Sequence, residues 1–91
     1  MLHESSVPVV REELQYRELE DGGVIYDTSA ERIHTLNLTA AYIWNCCDGS
    51  HTLLQIALDL QQHANVPLEK AMNDVREAVT QFQKEGLLRS Q

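Results

Sequence analysis

Past a polar opening, apolar residues fall first in short runs and then, from residue 37 onward, at helical spacing. Segments 14–19 and 24–27 flank Glu20-Asp21-Gly22-Gly23, where paired glycines tolerate positive φ, so the stretch predicts a β-hairpin. Thr28-Ser29-Ala30-Glu31 is a polar connection to a third short strand, 32–36. There Ile33 and Thr35 alternate with Arg32, His34 and Leu36.

Three helices are predicted next. Asn37 is a good N-cap for the first, whose apolar positions Ala40, Ile43, Trp44 and Cys47 follow at i, i+3, i+4 and i+7. Gly49 supplies the left-handed residue after it. Thr52 and Gln55 form a capping box for the second helix, with Leu53, Ile56, Ala57 and Leu60 as its apolar stripe. Asn65-Val66-Pro67 interrupts the chain, and Pro67 suits the first position of the third helix, 68–85. Leu68, Ala71, Met72, Val75, Val79 and Phe82 line one face of that helix. Gly86 stops it, and Leu87-Leu88 is expected to fold back on the core. Three strands followed by three helices predict an α+β fold, a small antiparallel sheet beside a helical cluster of winged helix-turn-helix type. Residues 1–13, polar and carrying Ser5, Ser6 and Pro8, are expected to be a loose arm on a single domain spanning 14–91.

Size and charge narrow the function. At 91 residues there is room for one core and only shallow clefts, which argues against an independent enzyme. The net charge is −7, and residues 1–31 carry two bases against eight acids. Phosphate backbones and anionic lipid surfaces repel such a chain, so neither nucleic acid nor membrane is expected as a partner. With no secretory signal, no long apolar run and only the adjacent Cys46 and Cys47, the expectation is a reduced, soluble, cytoplasmic protein.

No motif brings chemistry with it. Cys46, Cys47 and His51 lack the spacing of a zinc site, and neighbouring helical positions diverge by about 100°, so no metal is expected. Neither a nucleophile elbow, a phosphate loop nor a dinucleotide fingerprint is present, and no cofactor is expected. The third helix balances Lys70, Arg76 and Lys84 against Glu69, Asp74, Glu77 and Glu85. A DNA-binding winged-helix regulator is therefore allowed by topology and opposed by charge. A three-stranded sheet does leave an exposed edge, and an extended peptide could pair with 32–36 while its side chains enter a groove against the third helix. Ala71 and Ala78, flanking the apolar face, would leave room for that guest. The same exposed edge makes a strand-exchanged homodimer plausible.

Gly-Gly-Val-Ile-Tyr-Asp at 22–27, Leu36-Asn-Leu-Thr-Ala-Ala-Tyr-Ile-Trp44 and Cys47-Asp-Gly-Ser-His-Thr52 occur in order, followed by Ile56-Ala57, Asp74-Val75 and Gly86-Leu-Leu88. Together they resemble the coenzyme PQQ synthesis protein D family, the stand-alone form of the RiPP precursor-peptide recognition element, over about residues 14–89. Cys46 adds a thiol beside the cysteine that this family commonly shows before Asp-Gly. The resemblance implies a non-catalytic peptide chaperone. Such a protein binds the leader of a ribosomal precursor peptide as a strand added to the third strand. It then presents the leader to a modifying enzyme, often a radical SAM protein. Carried over, Arg32, Ile33, His34, Thr35 and Leu36 would pair with the guest and wall its pocket, and Ala71, Asp74, Val75 and Ala78 would line the opposite side. Arg76 lies on the other flank and would meet an acidic leader residue if the helix were rotated that way.

Overall fold

A computed structural model describes residues 3–89. Its sheet contains β1 (Gln15–Leu19), β2 (Gly22–Asp27) and β3 (Arg32–Asn37), antiparallel in the order β1-β2-β3. The three-strand, three-helix α+β order is the one predicted. The tight turn, however, is Glu20-Asp21 alone, and Gly22 and Gly23 belong to β2. Close approach explains them better than turn geometry does. A Cβ on Gly22 would lie 1.9 Å from the Leu36 carbonyl oxygen, and its φ of +155° is open in practice only to glycine. A Cβ on Gly23 would meet the Tyr16 ring at 2.5 Å.

Register sets the faces of the sheet. Tyr16, Ile25 and His34 stand in one row across the three strands. Ile25 is fully buried, and Tyr16 packs its ring 6.2 Å from that of Trp44. The opposite face carries the directly paired Tyr26 and Ile33, both exposed.

The helices are α1 (Leu38–Cys46), α2 (Leu53–Ala64) and α3 (Leu68–Lys84). Asn37 Oδ1 accepts from Ala40 N at 2.8 Å, which caps α1. The Thr52–Gln55 capping box is complete, with both reciprocal bonds made. Pro67 sits one position earlier than expected, as the N-cap of α3. The core joins Ile43 and Trp44 of α1, Leu53, Ile56, Ala57 and Leu60 of α2, and Ala71, Val75, Val79 and Phe82 of α3. Phe82 meets Trp44 edge-on at 5.2 Å, a favoured aromatic arrangement. Leu87 is buried behind Gly86, whose φ is +70°.

The segment expected to be a loose arm is, over 3–13, a strap bound across the domain; Met1 and Leu2 lie outside the described residues. The first two N–H groups of α2 have no partner inside that helix. Leu53 N donates to Ser6 O at 2.9 Å and Leu54 N to Glu4 O at 3.1 Å. Further along, Val10 N donates to Cys47 O and Arg11 N to Leu87 O, while Arg89 N donates to Val9 O. Arg11 then locks the strap to the end of β2 and to the turn after α3, through the Asp27 carboxylate at 3.4 Å and Gly86 O at 2.7 Å. Asp27 also accepts from Ser29 Oγ and Ala30 N; these bonds, led by that of Ser29, and Arg11 hold its carboxyl below the usual range.

The two cysteines differ in kind. Cys47 is buried, donates to Ile43 O at 3.2 Å, and has its thiol pushed up to about 12, chiefly by desolvation. Cys46, half-buried on the helix flank, is raised by the same cause. Burial shifts both toward the protonated thiol, so reaction depends on access and transient opening. Ellman's reagent at pH 8 is expected to modify Cys46 first and Cys47 only on addition of denaturant; equal rates in the folded protein would contradict the placement. Gly22→Ala should destabilise the domain by at least about 1–3 kcal/mol from backbone strain, read as a lower urea midpoint.

Candidate functional site

In the β1-β2-β3 order, β3 pairs with β2 only, so its far edge carries N–H and C=O groups that no strand of the sheet takes up. Facing that edge is one flank of α3. Between them runs a groove of about 570 Å³. Its floor is apolar: Leu36 and Ala40 are half-buried against the core, Ala78 likewise, and Phe82 is buried beneath them. The rim is polar, with Thr35 and Asn37 on the strand side and Lys70, Asp74, Glu77 and Gln81 on the helix side. An open backbone edge, an apolar floor and a polar rim together suit an extended chain. For such a chain the edge would supply affinity that tolerates sequence, and the floor would sort alternate side chains.

Helical geometry decides which α3 residues reach the groove. At about 100° per residue, positions 70, 74, 77, 78 and 81 cluster on one flank, and 71, 75, 79 and 82 sit further round toward the helical core. Of the expected contact residues, Thr35, Leu36, Asp74 and Ala78 line the groove. Ala71 and Val75 do not: both are 0% exposed and contribute to the core, so neither can touch a guest in this fold. Arg76 lies on the far flank, exposed, with Nη2 3.9 Å from Glu4 of the strap. The groove therefore opens on the Asp74–Ala78 side of the helix.

The rest of β3 lies beside the groove rather than in it. Arg32 Nη2 is 3.3 Å from Glu85 Oε2, which ties the start of the strand to the end of α3. Ile33 points to the outer face of the sheet and is 61% exposed. His34 sits beneath the strand, Nδ1 3.7 Å from Glu85 Oε2, with a buried Nε2 that has no hydrogen-bond partner. Sequence reasoning missed Lys70, Glu77, Gln81 and Phe82, and it read Asn37 and Thr39 as capping and turn residues only. Asn37 does both jobs, capping α1 with its side chain while lining the groove. Lys70, Glu77 and Gln81 share with Asp74 the i, i+4, i+7, i+11 row that begins at Lys70, while Phe82 comes up from the core face beneath it. That row stands out only once the sheet edge is known to face it.

Elsewhere the titratable groups serve local structure. Tyr42 donates to Asp59 and lies 3.0 Å from His63 Nδ1, joining α1 to α2. Asp48 accepts from Ser50 N and lies 3.1 Å from His51 Nδ1, closing the turn before α2; the bonds from Ser50 come first in holding its carboxyl down to about 2. Among the described residues no group of three or more His, Cys, Asp or Glu side chains is placed to hold a metal ion. No helix among them is long and apolar enough to cross a membrane.

Solved structures of other proteins share this fold. The fold matches the PqqD truncation of Methylobacterium extorquens PqqCD, described as a functional, stand-alone RiPP recognition element. The TM-score is 0.82 at 21% identity, covering 99% of this chain and 96% of that one. It also matches TbiB1 in complex with the TbiA(beta) leader peptide, with TM-score 0.80, 13% identity and coverage of 91% and 96%. A lasso peptide synthetase B1 complexed with its leader peptide gives TM-score 0.81, 24% identity and coverage of 93% and 100%. No curated protein sequence gives a significant match. The family model described as coenzyme PQQ synthesis protein D matches residues 22–88, from the first glycine of β2 to the tail that closes the core, and the chain belongs to that family.

Proposed function

We propose that this protein is a non-catalytic recognition module that binds the leader segment of a ribosomally made precursor peptide by strand addition to β3. The observation that carries the reading is the unpaired β3 edge facing the Asp74–Ala78 flank of α3 across an apolar floor. Two structures of the same fold hold leader peptides, which supports it. The groove's own polar groups support the non-catalytic part. Lys70 is 3.2 Å from Asp74 in an i, i+4 pair, and Gln81 donates to Glu85 at 2.9 Å, so these side chains brace one another along the rim. No nucleophile and base meet there within hydrogen-bond reach. The bound leader would be presented to a modifying enzyme, with radical SAM proteins the class that the family resemblance suggests. A second copy exchanging strands would compete for the same edge groups, so peptide and homodimer are alternatives at one site.

Ala78 is half-buried at the groove, and a long cationic side chain there would fill it from the helix side without entering the core. Ala78→Arg is expected to weaken leader-peptide binding by at least about ten-fold, roughly 1.4 kcal/mol, with the thermal midpoint within a few degrees of the parent. Isothermal titration against peptides encoded in short reading frames beside the gene reads the first, and thermal unfolding the second. Undiminished binding by the folded variant would move the site off this flank.

A further inference from the structure

The helix side of the groove has a charge imbalance that the protein does not resolve internally. Two carboxylates line it, Asp74 and Glu77, and Glu85 stands just beyond it at the end of α3. Asp74 is neutralised in place by Lys70 at 3.2 Å. Glu85 is met by Arg32 at 3.3 Å and by Gln81 at 2.9 Å. Glu77, between them on the rim, has no hydrogen-bond or ion-pair partner among the described residues. Its neighbours one helical turn away are Asn73, Asp74, Thr80 and Gln81, so none is a cation and one is a second acid. Arg76 and Lys84 line a separate shallow pocket with Glu77, but Arg76 turns toward Glu4 and neither makes an ion pair with Glu77. A chain of net charge −7 adds a background field of the same sign.

Resting on the leader-binding reading, we propose that the groove is selective for a cationic guest, with Glu77 as its specificity residue. The guest is an extended segment with an apolar side chain seated on Leu36, Ala78 and Phe82 and a Lys or Arg two residues away, reaching Glu77. The spacing follows from strand geometry. In a strand added to β3, side chains alternate between faces, so those that turn toward α3 are two residues apart, about 6.6 Å. If one occupies the floor, the next in register stands beside the rim. A long aliphatic stem can then lie along the apolar floor while its charged end rises to the carboxylate. An acidic residue at that position would face the unpaired Glu77 and be rejected.

The test is an mRNA-display selection of random dodecamer peptides on the full-length protein, repeated on Glu77→Gln, Glu77→Lys and the groove-blocking Ala78→Arg. Glu77 is exposed and unpartnered, so its replacement leaves the fold intact. Peptides that depend on Ala78 are expected to carry Lys or Arg two residues from Leu, Ile, Val or Phe. Changing that Lys to Glu in a synthetic copy should weaken binding to the parent about five-fold, the upper range for a solvent-exposed pair. The preference should vanish on Glu77→Gln, reverse on Glu77→Lys and fade in 1 M salt, where the screening length is about 3 Å. Groove-dependent peptides with no cationic preference, or a Lys preference unchanged on Glu77→Gln, would overturn the charge selectivity and leave the leader-binding reading standing. If no selected peptide depends on Ala78, the leader-binding reading itself fails and takes this one with it.

Discussion

A strand that pairs on one side only leaves half its backbone hydrogen-bond capacity to water, and β3 is such a strand. The fold around it keeps that edge available instead of closing it. Leu36 and His34 turn inward and anchor β3 to the core side, and Arg32 ties its start to Glu85 at the end of α3. On its other side β2 comes so close that only glycine fits at position 22, against the Leu36 carbonyl. These contacts fix the spacing of the strand from the helix, so a guest of the proposed kind would meet an edge already formed.

The same economy governs the helices. Each is short, and a small domain has little core to spare. α2 gains from having three of its first N–H groups satisfied from two sources: the Thr52–Gln55 box takes one, and strap carbonyls of Glu4 and Ser6 take two more. The strap also meets the chain's other end through Val9, Arg11, Leu87 and Arg89, so both ends of the described chain are sewn together. The groove thus sits on the side of the molecule where α3 and β3 are held by packing and the strap does not reach their facing flanks.

Much of the fold could be read from side-chain pattern, because caps and stripes are local. Asn37, Thr52 and Gln55 announce helix starts by their own hydrogen bonds, and the α2 stripe Leu53, Ile56, Ala57, Leu60 is buried as a set. What could not be read was decided by backbone contacts or by position along a helix. The strap is held by main-chain bonds that leave no side-chain periodicity, so its polar composition suggested looseness. Gly22 and Gly23 looked like turn residues, yet their small size answers to Leu36 and Tyr16 across the sheet. Ala71 and Ala78 are chemically alike in the sequence and, seven residues apart, nearly in line on the helix, but their positions along its axis put one in the core and the other on the groove. Small residues at the edge of an apolar stripe carry no signal of which side they fall on. Glu77 was legible only as one of many surface acids until the partners of its neighbours were known.

Strand addition leaves a signature that no other mode of binding shares: amides on the free edge of β3 gain protected hydrogen bonds at alternate positions. Amide-resolved NMR of the labelled protein, titrated with leader peptides from short reading frames beside its gene and followed by hydrogen exchange, reads this directly. The account predicts saturable shifts along Arg32–Asn37 and at Asp74, Glu77, Ala78 and Gln81, with new protection at every second residue of β3. Saturable binding that leaves β3 exchange unchanged, with shifts gathered around Arg76 or on α2, would contradict it.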